Sequence, residues 1–196
     1  WINSFGSTGE SEFGKDIVVD ENYVYVIGTF QGTVDFDAGS GTTVTNLTAT
    51  GTYDAYLAKY NLSGGDILWV KSLGIVNGGG KGYDISVDAS GNIYAAGTIY
   101  ASSSASRYDF KFFKYDANGN LLWSKTLSAY NIIHEANITF DSSGNVYVSG
   151  ILTNGNMDFD TGSGTITLDA NHRGIFFAKY DSNGAYVWVK LIDGGN

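Results

Sequence analysis

Two short segments carry the densest oxygen chemistry in this chain. Residues 35–42 read DFDAGSGT and residues 158–165 read DFDTGSGT, which differ at one position of eight. Asp35 and Asp37, like Asp158 and Asp160, lie two residues apart. On a strand that spacing puts both carboxylates on one face. In a loop, Asp-x-Asp-x-Gly resembles the start of a calcium loop, because a hard cation takes several oxygens and needs a sharp glycine turn. These four aspartates are therefore the candidate calcium ligands. The later acidic ligand of an EF-hand loop is missing, so that particular match fails. The competing expectation is a protruding hairpin with a Gly-Ser-Gly tip, anchored by Phe36 and Phe159.

Other reactive types are sparse. His134 and His172 are the two histidines, 38 residues apart, and a zinc site needs three or four converging ligands. There is no cysteine, which excludes disulfides and thiolate chemistry. No nucleophile elbow, metalloprotease helix, P-loop or dinucleotide fingerprint occurs. The sequence predicts no catalytic residues and no resident cofactor other than the calcium considered above. Asn46, Asn61 and Asn137 stand in glycosylation sequons, read as idle.

The elements that position these groups are legible from a repeat. Trp1, Trp69, Trp123 and Trp188 are separated by 68, 54 and 65 residues. A four-stranded repeat of roughly 40–50 residues with insertions suits these lengths. The tryptophan segments align: YLAKYNLSGGDILWVK (56–71), FFKYDANGNLLWSK (112–125) and FAKYDSNGAYVWVK (177–190). A second unit lies upstream of each: IVVDENYVYVIG (17–28), ISVDASGNIYAAG (85–97) and ITFDSSGNVYVSG (138–150). Both units alternate apolar and polar residues across a short turn, which is a hairpin signature. In the turns, Asp binds backbone amides and Gly supplies positive φ.

Each repeat is thus two hairpins, or four strands. The expected architecture is all-β, with β-propeller blades at 14–73, 82–128 and 134–192. Residues 1–6, WINSFG, read as the last strand of a preceding blade. Blade two replaces the octapeptide with ASSSASR (101–107).

The combined pattern is D-x-x-G-N-x-Y-x-x-G, then the Asp-Phe-Asp insertion, then A-K-Y-D-x-x-G-x-x-x-W-x-K. It resembles the SBBP (seven-bladed β-propeller) repeat proteins across nearly the whole chain. Those are similar to secreted and surface proteins of bacteria of the Bacteroidetes type. The resemblance implies a propeller fold and an extracellular or cell-surface location; it assigns no activity.

Trp69, Trp123 and Trp188 read as packing between blades rather than sugar-stacking rings. Lys71, Lys125 and Lys190 read as edge protection, and Lys59, Lys114 and Lys179 repeat as well. Asp54 and Asp109 read as caps at the start of the third strand, a place taken by Gly174 in blade three.

Charge and composition narrow the partners. A net charge of −9 argues against nucleic acid and anionic membrane surfaces. No apolar run approaches the ~18–20 residues that span a bilayer. With 43% hydrophobic and 15% aromatic residues, disorder is excluded. The 27 glycines and absent proline suit short strands and tight turns.

Three blades cannot close a ring of the usual 4–8, so either further blades of a longer chain or self-association is expected to cover the ends. The chain starts at Trp1 rather than Met and reads as a mature product or a fragment. The functional expectation is a non-catalytic scaffold for a protein or glycan ligand. A structural repeat of a filament or adhesin, with calcium stiffening the Asp-Phe-Asp hairpins, is one alternative. An accessory module of an enzyme or a quinoprotein-like propeller is another. The quinoprotein motif has Asp and Trp one residue further apart than Asp116–Trp123 and Asp181–Trp188, and its Thr-Gly is absent here.

Overall fold

A computed structural model describes residues 4–6, 10–37, 45–73, 79–100, 108–128 and 134–193. The chain is all-β, as expected, and is dominated by four-stranded antiparallel sheets.

The first region contains β1 (Phe13–Val19), β2 (Tyr23–Phe30), a short hairpin of β3 (Thr33–Asp35) and β4 (Asn46–Thr48), β5 (Asp54–Asn61) and β6 (Ile67–Ser72). Sheet I has the order β1-β2-β5-β6, and β3-β4 stands apart as a two-stranded ribbon. Sheet II is β7 (Gly80–Val87), β8 (Ile93–Tyr100), β9 (Tyr108–Tyr115) and β10 (Leu121–Leu127). Sheet III is β11 (His134–Phe140), β12 (Val146–Asp158), β13 (Thr167–Tyr180) and β14 (Tyr186–Asp193). All three follow sequence order: short turns join the first strand to the second and the third to the fourth, and a longer link joins the second to the third.

The sheets pack face to face in series. Alternation gives each sheet two apolar faces. Tyr25, Ile27 and Leu57 of sheet I meet Ile85, Ile93 and Phe113 of sheet II. The opposite face of sheet II supplies Tyr94, Phe110 and Phe112, which meet Val146, Val148 and Phe176 of sheet III. Across each seam the first strand of the later sheet makes the close backbone approach: β7 lies against β1, β2 and β5, and β11 against β7 and β8.

Sheet III absorbs the Asp-Phe-Asp insertion differently from sheet I. Here β12 and β13 stay paired throughout, with a register shift between Thr153 and Gly155. Residues 4–6 carry no strand, although Phe5 packs on Phe36 and Tyr56, with ring centroids 5.0 and 6.0 Å away. The expected first strand otherwise falls on residues 1–3, outside the described residues, as do ASSSASR and positions 38–42 of the first octapeptide.

Candidate functional site

The aspartates of the turns come first, because they recur most often. Asp88 Oδ1 accepts from the Ser90 and Asn92 amides, both at 2.9 Å, and Oδ2 accepts from the Asn92 side chain at 2.8 Å. Asp116 and Asp141 repeat all three bonds. The glycine of each turn closes it at positive φ: Gly91 and Gly119 at 78°, Gly144 and Gly184 at 75°. Bonds to the ionised form hold a carboxylate's pKa low. Those from Asn120 lower Asp116, and those from Asn145 first of all bring Asp141 down to about 2.

A tyrosine joins the first turn of each sheet. The hydroxyls of Tyr25, Tyr94 and Tyr147 donate to Asp20, Asp88 and Asp141 at 2.8, 3.3 and 3.0 Å. A lysine lies over the same rings: Lys59 over Tyr25, Lys114 over Tyr94 and Lys179 over Tyr147. An Asp-Tyr-Lys trio would suit proton transfer in isolation. Its presence in all three sheets makes it part of the scaffold. Lys59 shows what the lysine does: it is buried, and its Nζ donates to Ala117 O in sheet II at 2.9 Å.

Trp69 and Trp123 pack between sheets, as expected for architecture, while Trp188 lies on the outward face of sheet III. Trp123 Nε1 donates to Ser182 O of sheet III at 3.2 Å, and its ring meets Phe112 edge-on. The lysine two residues later stands on an edge strand, as expected, but its stem has a second role. Alternation turns Lys71 and Lys125 to the tryptophan's face, toward the next sheet. A Cβ placed on Gly119 would lie 2.7 Å from Lys71 Cε and 3.0 Å from Trp69 Cε2. One on Gly184 would lie 2.7 Å from Lys125 Cε and 3.4 Å from Trp123 Cε3. Each Trp-x-Lys pair therefore covers the glycine turn of the following sheet, and the lysine stem does the covering.

The sequence reading missed a second link. Asp16 Oδ2 accepts from the Ile85 amide at 3.1 Å, and Asp84 Oδ2 accepts from the Ile138 amide at 2.6 Å. The first strands of sheets I and II thus each bind the next sheet through one carboxylate. Bulges in β1 and β7, just before Asp16 and Asp84, turn these side chains out of the ladder. Burial first, then the neighbouring Asp16, pushes the Asp84 carboxyl up to about 6. The signal was present: Asp16, Asp84 and Asn137 each stand four residues before the turn aspartate.

The tip of the second Asp-Phe-Asp hairpin, residues 162–166, is exposed, and residues 38–44 of the first lie outside the described residues. Phe36 and Phe159 are fully buried. The hydroxyls of Tyr60 and Tyr180 donate to their carbonyls at 3.3 and 3.1 Å. In each copy the phenylalanine anchors the segment by packing into the buried cluster of its sheet. Asp35 Oδ1 accepts from the Asp37 and Thr45 amides, both at 3.0 Å. Asp158 Oδ1 accepts from the Asp160 and Ile166 amides at 3.0 and 2.9 Å. Asp160 Oδ1 accepts from the Gly162 amide at 2.7 Å. The second copy is tied to its own sheet by Thr161 Oγ1, which donates to Gly184 O at 2.7 Å. Among the described residues no three His, Asp or Glu side chains form a group that could hold a metal ion.

The remaining candidates are placed as follows. Asp54 opens β5 and its Oδ2 accepts from the amide and hydroxyl of Thr50. Asp109 is the second residue of β9, while Gly174 lies inside β13. His134 opens β11 and His172 lies in β13; the side chains of both fall outside the described residues. Asn61 Oδ1 accepts from the Ser63 amide and hydroxyl, and Asn137 is exposed on β11.

No family model matches this chain, and no curated protein matches it either.

Proposed function

We propose that this chain contributes three blades to a β-propeller of the SBBP repeat type, and that it is a non-catalytic scaffold, extracellular or at the cell surface, that binds a protein or glycan. One observation carries the reading: both seams are built from the same parts. A Trp-x-Lys pair covers a glycine turn, and an aspartate accepts the first isoleucine amide of the next sheet. Identical seams generate a regular array. The backbones approach through first strands, and the bulky tryptophans fill the outer part of the seam. That is the wedge a radial arrangement needs.

The same observation supports a binding role. Among the described residues, the repeated Asp, Tyr and Lys groups that could do acid–base work serve turns and seams. Both hairpin turns of every sheet lie at one end and repeat. The links from second to third strand lie at the other end and differ in length between sheets, 100–108 being the shortest. Variable loops on a rigid frame are where recognition resides.

The test is a panel of glycans and surface proteins applied to the folded chain, with product analysis alongside. Binding without turnover is expected. Turnover of any bound glycan overturns the non-catalytic reading. A solution-scattering profile of a straight stack, rather than an arc, overturns the propeller.

A further inference from the structure

We propose that the outward face of sheet III is a docking surface for a fourth four-stranded unit of the same repeat; the inference rests on the propeller reading. The two seams inside the chain show what this face holds when it is filled. Leu57 and Phe112 are 0% exposed, whereas Phe177, at the same place in the repeat, is 39% exposed. Ala55 and Phe110 are buried, whereas Ile175 is 53% exposed. Leu73 and Leu127 are buried, whereas Ile192 is 60% exposed. An apolar set that is covered twice and bare once is an interface seen from one side.

The polar parts of the seam are bare as well. Trp188 and Lys190 border a groove of about 680 Å³ with Phe177, Leu191 and Ile192. Their counterparts cover Gly119 and Gly184. Asn137 is exposed where Asp16 and Asp84 accept an isoleucine amide. An asparagine oxygen accepts the same bond.

These features specify the occupant. It has an aliphatic first strand that offers an amide to Asn137. It has a third-to-fourth-strand turn with a left-handed glycine for Trp188 and Lys190. It has an apolar face for Phe177, Ile175 and Ile192. Sheet I of a second copy is a poor mate. On its free face Ile17 and Val19 of β1 stay exposed, but Tyr56 and Tyr60 are buried and Phe5 is packed on Phe36 and Tyr56, so part of the face is taken up. Its turn from Asn61 to Asp66 is also one residue longer than Asp116 to Asn120.

The chain has no cysteine, so Ile192→Cys gives a single thiol reporter on the face. The full chain carrying it is extended after Asn196 with a copy of residues 74–128, and separately with a copy of residues 129–193. Labelling of the thiol by a maleimide is timed. At least one extension is expected to slow labelling by about tenfold or more, and Gly→Val at the turn glycine of the added unit (its copy of Gly119 or of Gly184) to restore the rate. Unchanged labelling in both extensions overturns the proposal. An unextended chain that sediments as a dimer with a protected thiol also overturns it, in favour of a second copy. Failure to bind any glycan or protein leaves these rates untouched, so the two readings fail separately.

Discussion

Phe112 in sheet II and Phe177 in sheet III occupy one place in the repeat and have opposite surroundings. Phe112 is fully buried against Tyr180, 4.8 Å away, and Trp123. Phe177 touches Trp188 of its own sheet, 5.8 Å away, and stays substantially exposed. The difference teaches that the apolar alternation belongs to the repeat, and that burial belongs to whatever stands next to it. The largest expected effect follows directly. Phe112→Ala should cost about 3–5 kcal/mol, because it opens a cavity in a closed seam. Phe177→Ala should cost less than about 1 kcal/mol. Urea unfolding of both variants measures this. Equal losses would break the comparison and mean that the face of sheet III is packed in solution.

A second pair isolates the covering of the turns. Gly144 and Gly184 both have φ of 75°, so an alanine suffers the same backbone strain at each. A Cβ on Gly144 would meet only Ser182 Cβ at 3.5 Å, whereas one on Gly184 would run into Lys125 Cε at 2.7 Å. Gly144→Ala should cost about 1 kcal/mol of strain. Gly184→Ala should cost roughly 2–3 kcal/mol, from strain plus displacement of the Trp123–Lys125 cover. Lys125→Ala in the Gly184→Ala background should recover part of the difference. No recovery would mean that the lysine stem does not form the cover.

Much of this frame is legible in the sequence. The Asp, Gly and Trp positions repeat in register, and each has a short-range job that a sequence window can contain. Asp88 binds amides two and four residues on, so its motif is local. The seam contacts are another matter. Asp84 reaches Ile138, 54 residues away, and the alternation of β7 says nothing about which amide its carboxylate meets. The stem of Lys71 is another such case. Its type suits an edge, and only the placement of Gly119 in sheet II shows where the stem goes. Phe36 and Phe159 read correctly as anchors, but the hydroxyls that bind their carbonyls belong to Tyr60 and Tyr180, 24 and 21 residues later.

Asp84 gives a smaller, pH-dependent contrast between the second sheet and the third. Asp84 is pushed up to about 6 from 3.8 by burial and then by Asp16. Between those values the folded chain holds a proton that the unfolded chain has released. The resulting stability is fully present below pH 3.8 and lost as pH rises through 6. Asn137 stands at the equivalent place in sheet III, where there is no carboxyl to titrate. Asp84→Asn should therefore remove about 1 kcal/mol of loss between pH 4 and pH 7, after allowance for solvent screening. Midpoints of urea unfolding across that range test it. Parallel pH profiles for variant and parent would sink the assignment.

The smallest expected effect concerns the paired insertions, where sheets I and III agree and sheet II differs. In both copies the first aspartate already spends Oδ1 on two amides, 3.0 and 3.0 Å away for Asp35 and 3.0 and 2.9 Å away for Asp158. These bonds close the hairpin without an ion. Calcium against chelator should then move the melting temperature by less than about 1 °C, since stabilisation by a ligand follows from its binding to the folded form. Asp158→Ala should cost about 1–2 kcal/mol by freeing two amides, whether or not calcium is present. A rise of several degrees with calcium, lost in Asp158→Ala and Asp160→Ala alike, would overturn the amide-only account and make the insertion a cation site. It would also turn the difference from sheet II, which lacks the insertion, from one of packing into one of chemistry.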